Sequence, residues 1–160
     1  MLRKVQLRYQ QNLILDKLIK SIDLKMKQVK GNVKTGRTHL MDAMPIDFSQ
    51  ELSGWKAQLD ANKKTIIRAT NRMNELPQGG TAIGTGINAH KDFSKHFCSE
   101  LNKLSKFKTK PTKNFYQGLS SVDNAVELSS TLKNLSIILM KISNDLRSVS
   151  YTHLTLPTKA

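Results

Sequence analysis

The sequence predicts an all-α protein, a long-helix bundle that needs helices from outside the chain to complete its core. Three observations lead there. Apolar residues recur at alternating three- and four-residue steps over long stretches. Glycine and proline gather in the short segments between those stretches. The last stretch carries apolar side chains on several faces, which only a multi-helix assembly can cover. Helices of about 30 residues would each run to about 45 Å, too long for a compact domain of 160 residues.

The first helix is expected from Leu2 to about Lys30, with Leu15, Leu18, Ile22 and Val29 on one face and Lys17, Lys20, Lys25, Lys27 and Lys30 largely elsewhere. Gly31, Gly36 and Pro45 punctuate a polar stretch, so residues 31–46 read as a loop. A long helix follows from Phe48, carried by Phe48, Leu52, Trp55, Leu59, Ile66, Ala69, Met73 and Leu76, with Asn62 as one polar exception. Asp47 and Gln50 have the spacing of a capping box at its start, and Pro77 with Gly79 and Gly80 ends it. Residues 79–86 are too rich in glycine for a helix interior. A shorter helix is expected from about Asp92 to Leu104, then an exposed connection over 106–113. The last helix begins near Gly118 and is carried by Ala125, Leu128, Leu132, Leu135, Leu139, Ile142 and Leu146.

Composition excludes several classes. The longest apolar run, Ile137 to Met140, is far short of the ~20 residues of a membrane span. The N-terminus is basic but lacks an apolar core of signal-peptide length, so export is not expected. A lone Cys98 supports neither a disulfide framework nor a zinc site and reads as a packed thiol. The net charge of +14 would ordinarily suggest nucleic acid as a partner. Here the surplus is mostly lysine, is spread along the chain and lacks interleaved aromatics, so a solvated surface is the better reading.

Chemistry is sought in the two connections, 34–46 and 78–90. Gly36-Arg37-Thr38-His39 sets a hydroxyl and an imidazole side by side, suited to binding an anion and moving a proton. Alone, such a pair is an ordinary surface or capping element. The glycines of 79–86 let backbone N–H groups approach a carboxylate, or simply make a tight bend. No Walker loop, paired cysteine or His-Glu metal motif is present.

The combination is more specific. Lys34-Thr35-Gly36-Arg37-Thr38-His39-Leu40-Met41-Asp42-Ala43-Met44-Pro45, followed by Ser49-Gln50-Glu51-Leu52-Ser53-Gly54-Trp55, resembles the first signature region of class II fumarases. Gly79-Gly80-Thr81-Ala82-Ile83-Gly84-Thr85-Gly86-Ile87-Asn88 is similar to the second loop of that family, and Leu139 to Arg147 to the helix leading to the third. The resemblance spans roughly Lys34 to Arg147 and places the chain in the fumarase/aspartase superfamily, as part of its central helical domain. His39 favours fumarase, because aspartases usually carry glutamine there; argininosuccinate and adenylosuccinate lyases share the Thr-His pair but differ in the glycine loop.

The resemblance implies reversible hydration of fumarate to malate, with no metal and no cofactor. Thr38 would bind a substrate carboxylate, and His39 would assist proton transfer at the added water. It further implies a homotetramer whose active sites draw on three subunits. The family's Ser-Ser-Asn segment, its Gly-Ser-Ser-x-Met-Pro loop and the acidic partner of the histidine are not among these residues, so the chain is expected to be a fragment, inactive by itself. A cytoplasmic location is the default, with mitochondria the alternative if a presequence precedes it. Met41 stands where the family nearly always has glutamine. Residues 1–147 are read as partial lyase domain, and 148–160 as a disordered tail of non-native origin, since they leave the family pattern. Two alternatives stay open: another lyase of the superfamily, or a non-enzymatic basic helical protein binding nucleic acid with steep salt dependence.

Overall fold

The structure is a computed structural model that describes residues 2–39, 41–105 and 108–154, with side chains from 14 to 148 within those ranges. In order it contains α1 (Leu2–Gln28), β1 (Val33–Thr38), β2 (Met41–Asp47), α2 (Phe48–Arg72), β3 (Glu75–Leu76), α3 (Phe93–Ser105), β4 (Lys110–Pro111), α4 (Phe115–Ser120) and α5 (Asp123–Leu154). The long helices confirm the all-α expectation. The chain divides into two compact units, one built on residues 3–64 with 133–154 and one on residues 65–132.

The first unit is organised by the 3–4 pattern of α2. Leu52, Trp55 and Leu59 are buried, together with Leu15, Ile19 and Ile22 of α1 and Ile142 of α5. On α1 the buried stripe passes through Ile19 rather than Leu18, which is only half-buried. Lys56 pairs with Asp23 and Lys63 with Asp16. A step of seven up α2 matches a step of seven down α1, so the two helices run antiparallel. The Trp55 indole N–H donates to Asp145 of α5 at 3.1 Å, giving the ring's polar edge a partner while its body is buried. Lys141 lies over the same ring at 6.0 Å.

Residues 31–46 are not a loop. Val33–Thr38 and Met41–Asp47 pair as an antiparallel hairpin with a register shift between Thr35 and Arg37. The irregularity falls at Gly36, where a Cβ would lie 2.7 Å from the Met44 carbonyl oxygen. The glycine read as part of a loop is therefore a bulge residue that admits the opposite strand.

In the second unit α2 ends at Arg72, four residues before the predicted end. The residue before a proline is disfavoured in helical geometry, and here Glu75–Leu76 pairs in parallel with Lys110–Pro111 instead. Lys110 N–H donates to Asn74 O and Thr112 N–H to Leu76 O, both at 2.9 Å, so Pro111 falls between the two donors and its missing N–H is not needed. The connection expected over 106–113 thus contains a strand; Lys106 and Phe107 lie outside the described residues. Asn102 of α3 holds this return by bonding Thr109 through its N–H, its hydroxyl and its carbonyl. Cys98 of α3 is buried, the packed thiol expected. Gly118 does not open the last helix. It lies inside α4, capped by Asn114, and the chain turns extended at Ser121 before α5 starts at Asp123. A Cβ on Gly118 would meet Pro77 Cβ at 3.0 Å, so packing rather than helix initiation explains that glycine.

At the other end, α5 continues to Leu154. Residues 148–154 are thus helical rather than disordered, and 155–160 lie outside the described residues.

Candidate functional site

Thr38 and His39 sit at the tip of the hairpin. Thr38 pairs with Met41, leaving a two-residue turn that begins with His39 at φ 49°. Two-residue hairpins take primed turns, whose first central residue has positive φ. Histidine visits that region more readily than most residues, so the geometry that closes the hairpin also places His39 at its apex. Both residues are exposed, and neither side chain makes a hydrogen bond among the described residues.

The hairpin is braced from three directions. Arg37 and Asp42, opposed across the strands just below the tip, form an ion pair at 3.1 Å. Near the base Lys34 pairs with Glu51 of α2 and lies 5.0 Å over the Phe48 ring. At the base, Asp47 accepts from Ser49 N–H at 2.6 Å with one carboxylate oxygen and from Gly31 N–H at 2.6 Å with the other. Gln50 returns the bond, its side-chain oxygen accepting from Asp47 N–H at 2.9 Å. This is the capping box read from the sequence, with one addition: the capping carboxylate also ties the start of the hairpin to its end. Hydrogen bonds from Ser49, then from Gly31, hold the Asp47 carboxyl below the usual aspartate range, and Lys30 adds to the effect.

The second connection is in the other unit. Gly80 and Gly84 are wedged against α4: a Cβ on Gly80 would lie 2.8 Å from Leu119 Cδ1, and one on Gly84 would lie 2.8 Å from the Tyr116 backbone N. Gly84 and Gly86 N–H groups both donate to Gly80 O, at 2.9 and 3.1 Å, which winds the loop on itself. Beside it opens a cleft of about 360 Å³ lined by Gly79, Gly84, Thr85, Gly86, Ala89, His90, Lys91, Ser94 and Phe115. His90, Lys91 and Ser94 were not singled out from sequence; a donor-rich run directly after a glycine loop is the signal that marks them. No cluster of three or more His, Cys, Asp or Glu suited to a metal occurs among the described residues, and no described helix is long and apolar enough to cross a membrane.

Long helices presenting a hydroxyl–imidazole turn are accompanied by a family match: a family described as "Lyase" matches residues 4–156, and the chain belongs to it. Its relatives are class II fumarate hydratases. It is 46% identical over 130 residues to "Fumarate hydratase class II 2" of Pseudomonas aeruginosa, covering 81% of this chain and 28% of that protein. It is 44% identical over 133 residues to the class II fumarate hydratase of Bacillus subtilis, covering 83% and 29%. Among solved structures, the class II fumarase of Schistosoma mansoni superposes with a TM-score of 0.76 at 33% identity, covering 82% of this chain and 30% of that one. A fumarate lyase/delta crystallin protein of Brucella melitensis gives 0.79 at 32% identity, covering 91% and 31%. The chain therefore spans less than a third of the length of these relatives.

Proposed function

We propose that this chain is the portion of a class II fumarate hydratase that supplies Thr38 and His39 to the reversible hydration of fumarate. The observation that carries the proposal is the His39 turn at the apex of a hairpin braced at tip and base. Such a mount fixes the backbone that carries an acid–base group while leaving the side chain open to substrate, and orientation-dependent catalysis starts from such a placement. The fumarase names of the relatives support the choice of reaction.

In this reading the Thr38 hydroxyl donates to a substrate carboxylate oxygen. His39, one residue on, takes a proton from the attacking water in hydration and returns it in dehydration. The adjoining carboxylate takes up the charge that develops on the substrate until an acid from a segment outside these residues protonates the neighbouring carbon. Segment 78–90 is the second substrate loop. Met41, exposed next to the turn, offers a thioether where an amide would donate and accept, which weakens polar contact beside the substrate. The complete protein is a homotetramer that completes the site with segments from other copies, and it acts in the cytoplasm.

The test is a chimera in which residues 34–147 replace the matching segment of the Bacillus subtilis relative, assayed for loss of fumarate absorbance with water and, separately, with ammonia. Hydration is expected, and His39→Asn is expected to lower kcat by about 10²–10⁴-fold, the usual worth of a positioned acid–base group. Addition of ammonia in place of water, or an unchanged kcat in a folded His39→Asn chimera, overturns the proposal.

A further inference from the structure

We infer that the cleft beside the glycine loop is a binding site for the carboxylate of a small organic acid, with Lys91, His90, Thr85 and Ser94 as its polar contacts. Its volume of about 360 Å³ lies at the lower end of the ~300–1,000 Å³ range of small-molecule pockets. The lining is unbalanced in one direction. It contains an ammonium, an imidazole and two hydroxyls, and no carboxylate.

The imidazole is set as a donor. His90 Nδ1 lies 3.2 Å from the Asp92 backbone N, which can only donate, so Nδ1 accepts. In the neutral ring the proton then resides on Nε2. Lys91 forms no ion pair with Asp92, whose carboxylate lies 3.8 Å from Lys95, or with any other acidic group among the described residues. The side chains of Lys91, Thr85 and Ser94 are uncommitted among the described residues. A carboxylate accepts only, and its two oxygens can take several such donors at once. One ammonium matches one carboxylate charge. A side chain on Gly79 would lie 3.1 Å from Ser94 Cβ, within the lining of the cleft.

This deepens the reading of segment 78–90 as a substrate loop, and its test uses equilibrium binding so that it is separable from turnover. The isotope-labelled chain is titrated with sodium succinate, with sodium chloride at matched ionic strength and with inorganic phosphate, and followed by backbone amide shifts. Succinate is expected to give saturable shifts centred on Thr85, Gly86, Lys91 and Ser94. Lys91→Ala should raise Kd by about fivefold, the worth of an exposed charged contact, and His90→Gln should weaken binding further in combination. Failure of the chimera to hydrate fumarate while succinate binding to the chain is intact refutes only the catalytic reading. Absence of saturable binding, equal shifts with chloride, tighter binding of phosphate than of succinate, or binding indifferent to both loop substitutions would each overturn the inference.

Discussion

Two glycines of the first unit give opposite expectations for one chemical change. On Gly36 an added methyl would lie 2.7 Å from the Met44 carbonyl oxygen and 3.3 Å from Ile46 Cγ2, where ordinary contact begins at 3.4 Å. The nearest obstacle is backbone in a paired strand, not the free end of a side chain. The strands must therefore separate by several tenths of an ångström at the bulge. Overpacking of this kind costs about 1–3 kcal/mol. On Gly54, exposed within α2, the same methyl meets nothing within 4 Å. Replacing a helix-interior glycine with alanine there should stabilise by about 0.5–1 kcal/mol. Trp55, the one tryptophan, is buried in this unit and reports its unfolding by fluorescence. With a urea slope of about 1–3 kcal/mol/M, the two midpoints should separate by roughly 1 M, Gly36→Ala below the parent and Gly54→Ala above it. In the hydrating chimera Gly36→Ala should also lower kcat, because a misplaced catalytic group by about 1 Å costs on the order of 10²-fold. Equal midpoints, or a Gly36→Ala chimera of full activity, would refute the claim that the bulge sets the position of the turn.

Leu59→Ala, at a large side chain with no exposure, should lower stability by about 2–5 kcal/mol in the same urea experiment, far more than an alanine at exposed Ile14. Stability should also depend on pH at both extremes. Lys56 and Lys27 hold the Asp23 carboxyl below 3.8, and Ser49 holds Asp47 below it. The stability from these carboxylates is present above 3.8 and declines as pH falls through their lower folded values. The Asp23 contact raises Lys56 above 10.5, so its share is whole below that value and declines as pH rises beyond it. Asp23→Asn should flatten both limbs of a plot of urea midpoint against pH, and high salt should reduce the difference, since the pair is partly exposed.

How far the sequence could be read depended on how local the determining contacts were. The start of α2 was legible because Asp47 and Gln50 bond over three residues. The periodic faces of α1 and α2 were legible for the same reason, with an error of one position at Leu18. The hairpin was not. Val33, Met41 and Met44 are exposed and Gly36 breaks the alternation, so neither strand shows the two-residue period of a half-buried sheet. The pairing of Glu75–Leu76 with Lys110–Pro111 joins segments remote in sequence, and no local signal announces it. Thr38 and His39 were singled out through the order of motifs, whereas the hairpin that carries them was legible only in three dimensions. His90 and Lys91 escaped notice because their grouping depends on how the glycine loop winds back on Gly80.

The Asp47 carboxylate touches both ends of the hairpin and the first turn of α2. With Phe48 N–H donating to Asn32 O and Lys34 reaching Glu51, segment 31–51 closes these bonds within its own length. It has the properties of a portable cassette: attached to the N-terminus of any exposed helix, it would carry its own cap, its own closure and a fixed direction for whatever residue occupies the apex. An enzyme built this way can exchange the apex residue while leaving the mount untouched, and a protein engineer could place an imidazole at a chosen angle to a helix by transplanting a single stretch of chain.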